Sequence, residues 1–118
     1  MYIRKLHHSF MRAAQLLVLR DFSTEEDVWK DIDVDASYIM IQPYVPRLIG
    51  CLLVDTNKYL AYLVVHEEYR HKKVASRLMA HCTATSLTCE ARLLPFYERF
   101  GFSAIGLEPD GRVKMVLK

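Results

Sequence analysis

The chain has 118 residues, of which 52% are hydrophobic and 25% are charged, and its formal net charge is +2. This length is typical of one domain that buries a core without disulfides or metal ions, and the composition excludes an intrinsically disordered segment. No apolar run approaches the roughly 20 residues of a membrane-spanning helix, and the basic N-terminus lacks the apolar core of a signal peptide.

The first third of the chain predicts one strand and two helices. Residues 2–6 have the pattern of a short strand, and Ser9 is suited to cap a helix whose apolar residues recur with a 3.6-residue period. Residues 23–26, STEE, have the form of a capping box and predict a second helix. Val28, Trp29 and Ile32 would face inward from that helix.

The rest of the chain predicts six strands and two helices. Three strands are expected over residues 37–42, 48–55 and 59–66, and their consecutive apolar residues indicate a sheet that is covered on both faces. A helix follows from residue 71, and then a short strand over residues 86–90. Pro95 suits the first turn of a further helix, and Gly101 suits the position just after its end. Strands over 102–107 and 112–117 complete the chain.

The order β-α-α-β-β-β-α-β-α-β-β contains no linker, repeat or low-complexity segment. It predicts a single α/β domain over residues 1–118, with helices packed on a mixed sheet.

The numbers and positions of the cysteines and glycines exclude several kinds of binding site. Three cysteines without a CxxC pair indicate reduced thiols in a cytoplasmic protein, with no metal site, and the four scattered glycines exclude a Walker loop and a GxGxxG loop.

Charge is unevenly distributed along the chain. Residues 21–35 hold seven of the fourteen acids, which form either a solvated face or a wall that attracts a cationic ligand. Arg70, Lys72, Lys73 and Arg77 lie within eight positions, and the first three stand at the predicted start of a helix. Cations there oppose the helix dipole, so they indicate a bound anion such as a phosphate; the alternative is a poorly started helix.

Two segments of the chain resemble the GNAT N-acetyltransferases. Residues 65–78, VHEEYRHKKVASRL, are similar to the family's acetyl-CoA-binding motif: a strand ending in Val, then Arg or Gln, two residues, Gly, one residue, and Gly or Ala. Residues 89–102, CEARLLPFYERFGF, are similar to its second motif, and are closest to the arylalkylamine (serotonin) branch. The resemblance covers nearly the whole chain and implies a GNAT-like fold with a mixed, mostly antiparallel sheet and helices on both faces.

The resemblance also implies acetyl-CoA as cosubstrate, no metal, and a set of site residues. Backbone groups of Leu63, Val64 and Val65 would face the cofactor, and an N–H near Val65 would polarise the thioester carbonyl. Tyr97 would give a proton to the departing thiolate. The pyrophosphate would lie at the start of the helix, against Arg70, His71, Lys72, Lys73, Val74, Ala75 and Ser76.

Three positions depart from the family pattern. Lys73 stands where the family most often has glycine, whose missing β-carbon lets the backbone approach the pyrophosphate. The lysine charge either compensates for that loss, or the site binds CoA weakly. Glu90 and Leu93 replace the common asparagine and alanine, although Glu90 agrees with the Cys-Glu pair of the arylalkylamine branch.

The general base is left open. The two histidines of the arylalkylamine branch are missing, because Tyr59 and Ala61 stand at their places. The candidates are therefore Tyr59, His66 and a water molecule reached between the two central strands. His66 has the simpler alternative of merely ending its strand.

These observations predict an N-acetyltransferase that moves an acetyl group from acetyl-CoA to a primary amine by direct attack in a ternary complex. The acidic segment favours a small cationic amine, and a protein amine is the second candidate acceptor. The alternative is a degenerate domain that binds CoA or a protein partner with little catalysis. A nucleic-acid-binding domain is disfavoured because the pI of about 8.5 and the acidic segment leave no continuous basic surface. We expect no membrane association, and a monomer or homodimer.

Overall fold

The computed structural model describes residues 1–21, 26–42, 47–70 and 73–118, and it contains two antiparallel sheets. The first sheet has the strand order β1 (Tyr2–Lys5), β2 (Tyr38–Gln42), β3 (Arg47–Val54) and β4 (Leu60–Val65). The second has the order β5 (Ser86–Cys89), β7 (Val113–Leu117) and β6 (Phe102–Leu107). One parallel bridge, between Tyr59 and Ser86, joins the two sheets, so the predicted mixed and mostly antiparallel arrangement is confirmed.

The part of the chain that the structure describes contains three α-helices, α1 (Met11–Asp21), α2 (Val74–Met79) and α3 (Leu94–Glu98). Helix α1 buries its predicted apolar stripe against the first sheet, but Ser9 is not its cap. His7 takes that role for the preceding 3-10 turn, because its Nδ1 accepts a hydrogen bond from the Ser9 N–H at 3.2 Å.

The predicted second helix is a 3-10 helix over Glu26–Asp31, and residues 23–25 of the capping box lie outside the described residues. The segment turns directly after this helix: the Asp33 carboxylate accepts a hydrogen bond from the Asp35 N–H at 3.0 Å. Such side-chain bonds compete with helical backbone bonds, which explains why no α-helix forms over these acids. Ile32 is buried and Trp29 packs against the core, as predicted.

Helix α2 ends at Met79, three residues before the predicted end of its apolar row at Cys82. The N–H groups of His81 and Cys82 donate to carbonyls three residues earlier, so the last turn tightens and the α-helix stops. Helix α3 follows the prediction: Pro95 lies in its first turn and Gly101, at φ +95°, lies just beyond it.

The core lies on both faces of β3, whose last six residues are all buried. Leu52 and Val54 contact the cluster under α2 and α3, whereas Cys51 and Leu53 contact the cluster under α1. The prediction of a sheet covered on both faces is therefore confirmed. No helix within the described ranges is long and apolar enough to cross a membrane.

Candidate active site

A cleft opens where β4 and β5 separate. The two strands meet at the Tyr59–Ser86 bridge, where the Lys58 carbonyl also accepts the Thr85 N–H at 2.7 Å. Beyond this point, among the described residues, β4 pairs with β3 alone and β5 with β7 alone, so the strands diverge into two different sheets. The space between them is about 550 Å³, and its lining includes all of β4 together with Arg70, Leu87, Thr88, Cys89, Glu90, Arg92, Leu93, Tyr97 and Arg112.

The ladder between β3 and β4 determines which backbone groups of β4 face this cleft. The His66 N–H donates to the Ile49 carbonyl at 2.7 Å, so backbone groups of alternate residues point toward β3. Val65 and Leu63 therefore direct their N–H and C=O groups toward the cleft, and Arg70 Nε donates to the Val65 carbonyl at 3.2 Å. Val64 differs from the expectation, because it pairs with Cys51 and its backbone groups face β3.

A second cavity of about 580 Å³ adjoins the cleft, and Val65 and Arg70 line both. Its walls come from the start of α2, including Lys73, Val74, Ala75 and Ser76, and from α3 and the residues after it. The structure thus brings together most of the predicted pyrophosphate residues. His71 and Lys72 lie outside the described residues.

Arg99 was not predicted from the sequence, and it lines the second cavity together with Lys73. Its guanidinium lies 5.8 Å from the centre of the Phe96 ring, a cation–π contact that holds the charge on this wall. The signal for it was present in the string PFYERFGF, because Arg99 follows Phe96 by three positions, a spacing at which helical side chains are neighbours. Arg70, Lys73 and Arg99 give the cavity three cations, which suits a ligand with several phosphates.

Lys73 has the left-handed backbone conformation, with φ +60° and ψ +21°, immediately before α2 begins. A non-glycine residue pays about 1 kcal/mol or more for this conformation, because its β-carbon crowds the following carbonyl. The family's preference for glycine at this position therefore has a local cause in the turn itself. This chain keeps the turn and places a positive side chain on it.

Helix α2 packs closely on β3 at Gly50. A β-carbon there would lie 3.1 Å from Leu78 Cδ1, 3.1 Å from the Val64 carbonyl oxygen and 3.2 Å from Val74 Cγ1. Glycine lets the start of α2 lie directly against β3 and β4. This contact fixes the position of the second cavity relative to the cleft.

Tyr97 lies in the wall of the cleft and is only 8% exposed. Its ring meets Phe96 edge-on at 5.0 Å between centroids, and Phe102 at 6.4 Å. Burial, together with smaller contributions from the nearby Cys89 and Cys82 thiols, raises the pKa of its phenol to about 12. Tyr97 therefore carries its proton throughout the neutral and mildly alkaline range.

Neither side chain considered as a general base lines the cleft. The ring nitrogens of His66 face other groups: Nδ1 accepts the Glu68 N–H at 3.2 Å, and Nε2 lies 2.9 Å from Arg20 Nη1. Tyr59 lies at the closed end, at the bridge between the sheets. The tyrosine of β4 that does line the cleft is Tyr62, which stacks on Trp29 at 6.1 Å and whose pKa is raised by burial.

The acidic segment lies beside the cleft wall without lining it, as far as its residues are described. The Asp31 carbonyl accepts the Thr56 N–H at 2.9 Å, and Asp33 holds the turn that leads to Asp35. None of these three side chains is among the described residues that line the cleft. The four other acids of the segment lie where side chains are not described.

Comparisons with known proteins agree with this geometry. The model of the acetyltransferase (GNAT) domain matches residues 36–104, which contain both central strands and Tyr97. No curated protein matches the chain.

Several solved structures have a similar fold. Naa50 from Arabidopsis thaliana, in complex with the bisubstrate analogue CoA-Ac-MVNAL, has a TM-score of 0.77 at 16% identity, covering 99% of this chain and 97% of that one. Rv2747 from Mycobacterium tuberculosis, in complex with CoA and NLQ, has a TM-score of 0.73 at 12% identity, covering 99% and 98%. The ribosomal-protein-S18-alanine N-acetyltransferase from Escherichia coli has a TM-score of 0.70 at 15% identity, covering 98% and 89%.

Proposed function

We propose, on the premise that the chain belongs to the GNAT acetyltransferase family, that it transfers the acetyl group of acetyl-CoA directly to a small primary amine held in the cleft between β4 and β5. One observation carries the proposal: the cleft and the cationic second cavity meet at Val65 and Arg70, with Tyr97 in the cleft wall. This arrangement can hold a long cofactor with its phosphates at one end and its reactive group at the other.

The chain's own residues fit acetyl-CoA, which supplies an acetyl group activated as a thioester. Arg70, Lys73 and Arg99 would bind its phosphates in the second cavity. The backbone groups of Leu63 and Val65 would pair with the extended part of the cofactor, as the edge of a sheet pairs with another strand. An N–H of this edge would also polarise the thioester carbonyl and stabilise the negative charge that develops on its oxygen.

The proton transfers that the reaction requires give Tyr97 a specific role. The amine must lose a proton to attack, and water is the candidate base that remains, because neither Tyr59 nor His66 is among the described residues that line the cleft. The departing sulfur becomes a thiolate with an ordinary pKa near 8.5, about 3.5 units below the phenol of Tyr97. Complete transfer from Tyr97 is uphill by roughly 5 kcal/mol, so the phenol stabilises the thiolate as a hydrogen-bond donor.

There are three candidate acceptors. The acidic segment favours a small cationic amine, and the string PFYERFGF favours an arylalkylamine. A protein α-amine has separate support, because Naa50 was solved with a CoA–peptide analogue and the Escherichia coli enzyme is named for an alanine of protein S18. We favour a small amine because the cleft of about 550 Å³ must accept both the thioester and the acceptor.

A two-step experiment tests the proposal. Thermal unfolding is measured with and without acetyl-CoA, and CoA release is then measured with small amines, arylalkylamines and short peptides. We expect stabilisation by acetyl-CoA and turnover with at least one small amine. Tyr97→Phe should lower kcat with little change in the KM for acetyl-CoA. Tyr38→Phe is the matched control, because Tyr38 is half-buried against His81 and does not line the cleft.

The outcomes separate the alternatives. If acetyl-CoA gave no stabilisation, the proposed function would be wrong. Stabilisation without turnover would favour the degenerate CoA-binding domain. Turnover with peptides alone would identify a protein acetyltransferase. Equal kcat for wild type and Tyr97→Phe would remove Tyr97 from the chemistry and leave the family assignment intact.

A further inference from the structure

The wall of the cleft includes an arginine whose position is fixed by its own turn. Arg112 lies between β6 and β7, and the Asp110 carboxylate binds it twice. One oxygen accepts the Arg112 backbone N–H at 3.0 Å, and the other accepts Nε at 2.8 Å. The hairpin is closed by the Glu108 N–H, which donates to the Arg112 carbonyl at 2.8 Å. Asp110 thus holds the guanidinium through Nε, and within the described residues neither Nη group donates to another side chain.

The charges that line the cleft favour an anion at this point. Arg70, Arg92 and Arg112 line it, against Glu90 as the carboxylate among the described lining residues. Glu90 is paired with Arg92, at 2.7 Å between Oε2 and Nε. Arg70 lies at the junction with the second cavity. Arg112 is paired with Asp110 in its own turn, at 2.8 Å between Nε and Oδ2, and it is not among the described residues that line the second cavity. Its Nη groups therefore belong to the part of the cleft away from the phosphate end.

Arg112 lines the part of the cleft that acetyl-CoA would leave to the acceptor. The cofactor would lie at the junction at Val65 and extend into the second cavity, so the acceptor would occupy the rest of the cleft. Tyr62 lines that part, and the positive charge of Arg112 is near enough to lower the pKa of its phenol, against the larger effect of burial. A guanidinium with two Nη groups directed at a ligand binds a carboxylate through paired hydrogen bonds.

We infer that Arg112 binds a carboxylate of the acceptor, so that the preferred substrate is a small amine that also carries a carboxylate, such as an amino acid. This inference rests on the proposed function and names its substrate class. Arg112 acts as a specificity-determining residue, and Asp110 acts as a positioning residue that holds its guanidinium. The acidic segment, which favoured a purely cationic amine, does not contribute a described side chain to this wall.

Matched pairs of amines test the inference, because the members of each pair differ only by the carboxylate. Suitable pairs are phenylalanine with phenethylamine, ornithine with putrescine, and β-alanine with ethylamine. kcat/KM is measured for wild type, Arg112→Gln and Arg92→Gln. Arg92→Gln is the matched control, because it removes an equal charge from the same cleft and leaves the Arg112 turn intact. The ratio of kcat/KM between the two members of a pair is compared between wild type and variant, so the difference in amine pKa within the pair cancels.

We expect Arg112→Gln to lower kcat/KM for the carboxylated members by about 10- to 100-fold, the range for a hydrogen bond to a charged group, with the decarboxylated members nearly unchanged. The KM for acetyl-CoA should stay the same. Asp110→Asn should raise the KM for the carboxylated amines and leave kcat unchanged. Arg92→Gln should change both members of a pair to the same extent.

Failure of the inference is distinguishable from failure of the proposed function. If Arg112→Gln lowered both members of each pair equally, or if it raised only the KM for acetyl-CoA, the inference would be overturned while acetyl transfer stood. Calorimetric titration of the CoA-loaded protein with each amine gives a second readout without turnover: tighter binding of the carboxylated member must be lost in Arg112→Gln. Absence of acetyl-CoA binding would overturn both proposals.

Discussion

Replacing Lys73 with glycine should stabilise the protein. The left-handed conformation costs a lysine roughly 1–2 kcal/mol, and glycine would remove that cost while losing about 0.5–1 kcal/mol through its greater freedom in the unfolded chain. The net gain in the free energy of unfolding is about 0.5–1 kcal/mol, or about 2–4 °C in Tm. Lys58 supplies a matched control, because it has the same φ of +60° in the exposed turn before β4.

The two lysines should differ in their effect on the cofactor. Urea unfolding and calorimetric titration with acetyl-CoA are measured for Lys73→Gly, Lys73→Gln and Lys58→Gly. Both glycine variants should be more stable than wild type, and Lys58→Gly should leave the Kd for acetyl-CoA unchanged. Lys73→Gln keeps the β-carbon and removes the charge, so it should raise the Kd about 2- to 5-fold, the effect of an exposed ion pair. A Kd that was equal in Lys73→Gln and wild type would refute the role of the lysine charge, and unchanged stability in both glycine variants would refute the strain argument.

Three further changes have expected outcomes. Gly50→Ala should lower the free energy of unfolding by about 1–3 kcal/mol in chemical denaturation, because its β-carbon would crowd α2 at 3.1 Å, whereas Gly106→Ala, with no atom within 4 Å, should have no such cost. Ser37→Ala should cost about 1–3 kcal/mol by the same measurement, because the buried hydroxyl accepts the Val54 N–H at 3.0 Å and donates to the Asp33 carbonyl at 2.7 Å. The raised pKa of Tyr97 means that its contribution is fully present below about pH 10 and is lost as the pH rises toward 12. Wild type should therefore lose roughly 3 kcal/mol more than Tyr97→Phe over this interval, and equal pH dependence of unfolding would contradict the burial of the phenol.

Much of the fold could be predicted because the signals are local. Apolar alternation, the turn residues before β4 and the Pro95–Gly101 pair each depend on neighbouring residues, and the corresponding elements are confirmed. The family motifs supplied the acetyltransferase assignment, which the match over residues 36–104 confirms. The arylalkylamine branch is a finer statement that stays a prediction.

What could not be predicted depends on packing between distant parts of the chain. The close approach at Gly50 requires α2 to cross β3, which no local pattern near residue 50 indicates. Arg112 reaches the cleft because the strand that follows it, β7, pairs with β5, and these two strands are far apart in sequence. The predicted type of the second helix was wrong for another reason: the segment is a 3-10 helix over Glu26–Asp31, and the Asp33 carboxylate holds a turn directly after it.

The most direct test of the central claim follows the acetyl group itself. Acetyl-CoA labelled with deuterium in the acetyl group is incubated with the protein and an amine that supports CoA release. The masses of the protein and of the small molecules are measured by mass spectrometry during turnover. Direct transfer in the cleft predicts one labelled N-acetyl amine for each CoA released, and a protein mass that stays unmodified. Labelled acetyl on the protein at early times, or CoA release without labelled amine, would contradict the account.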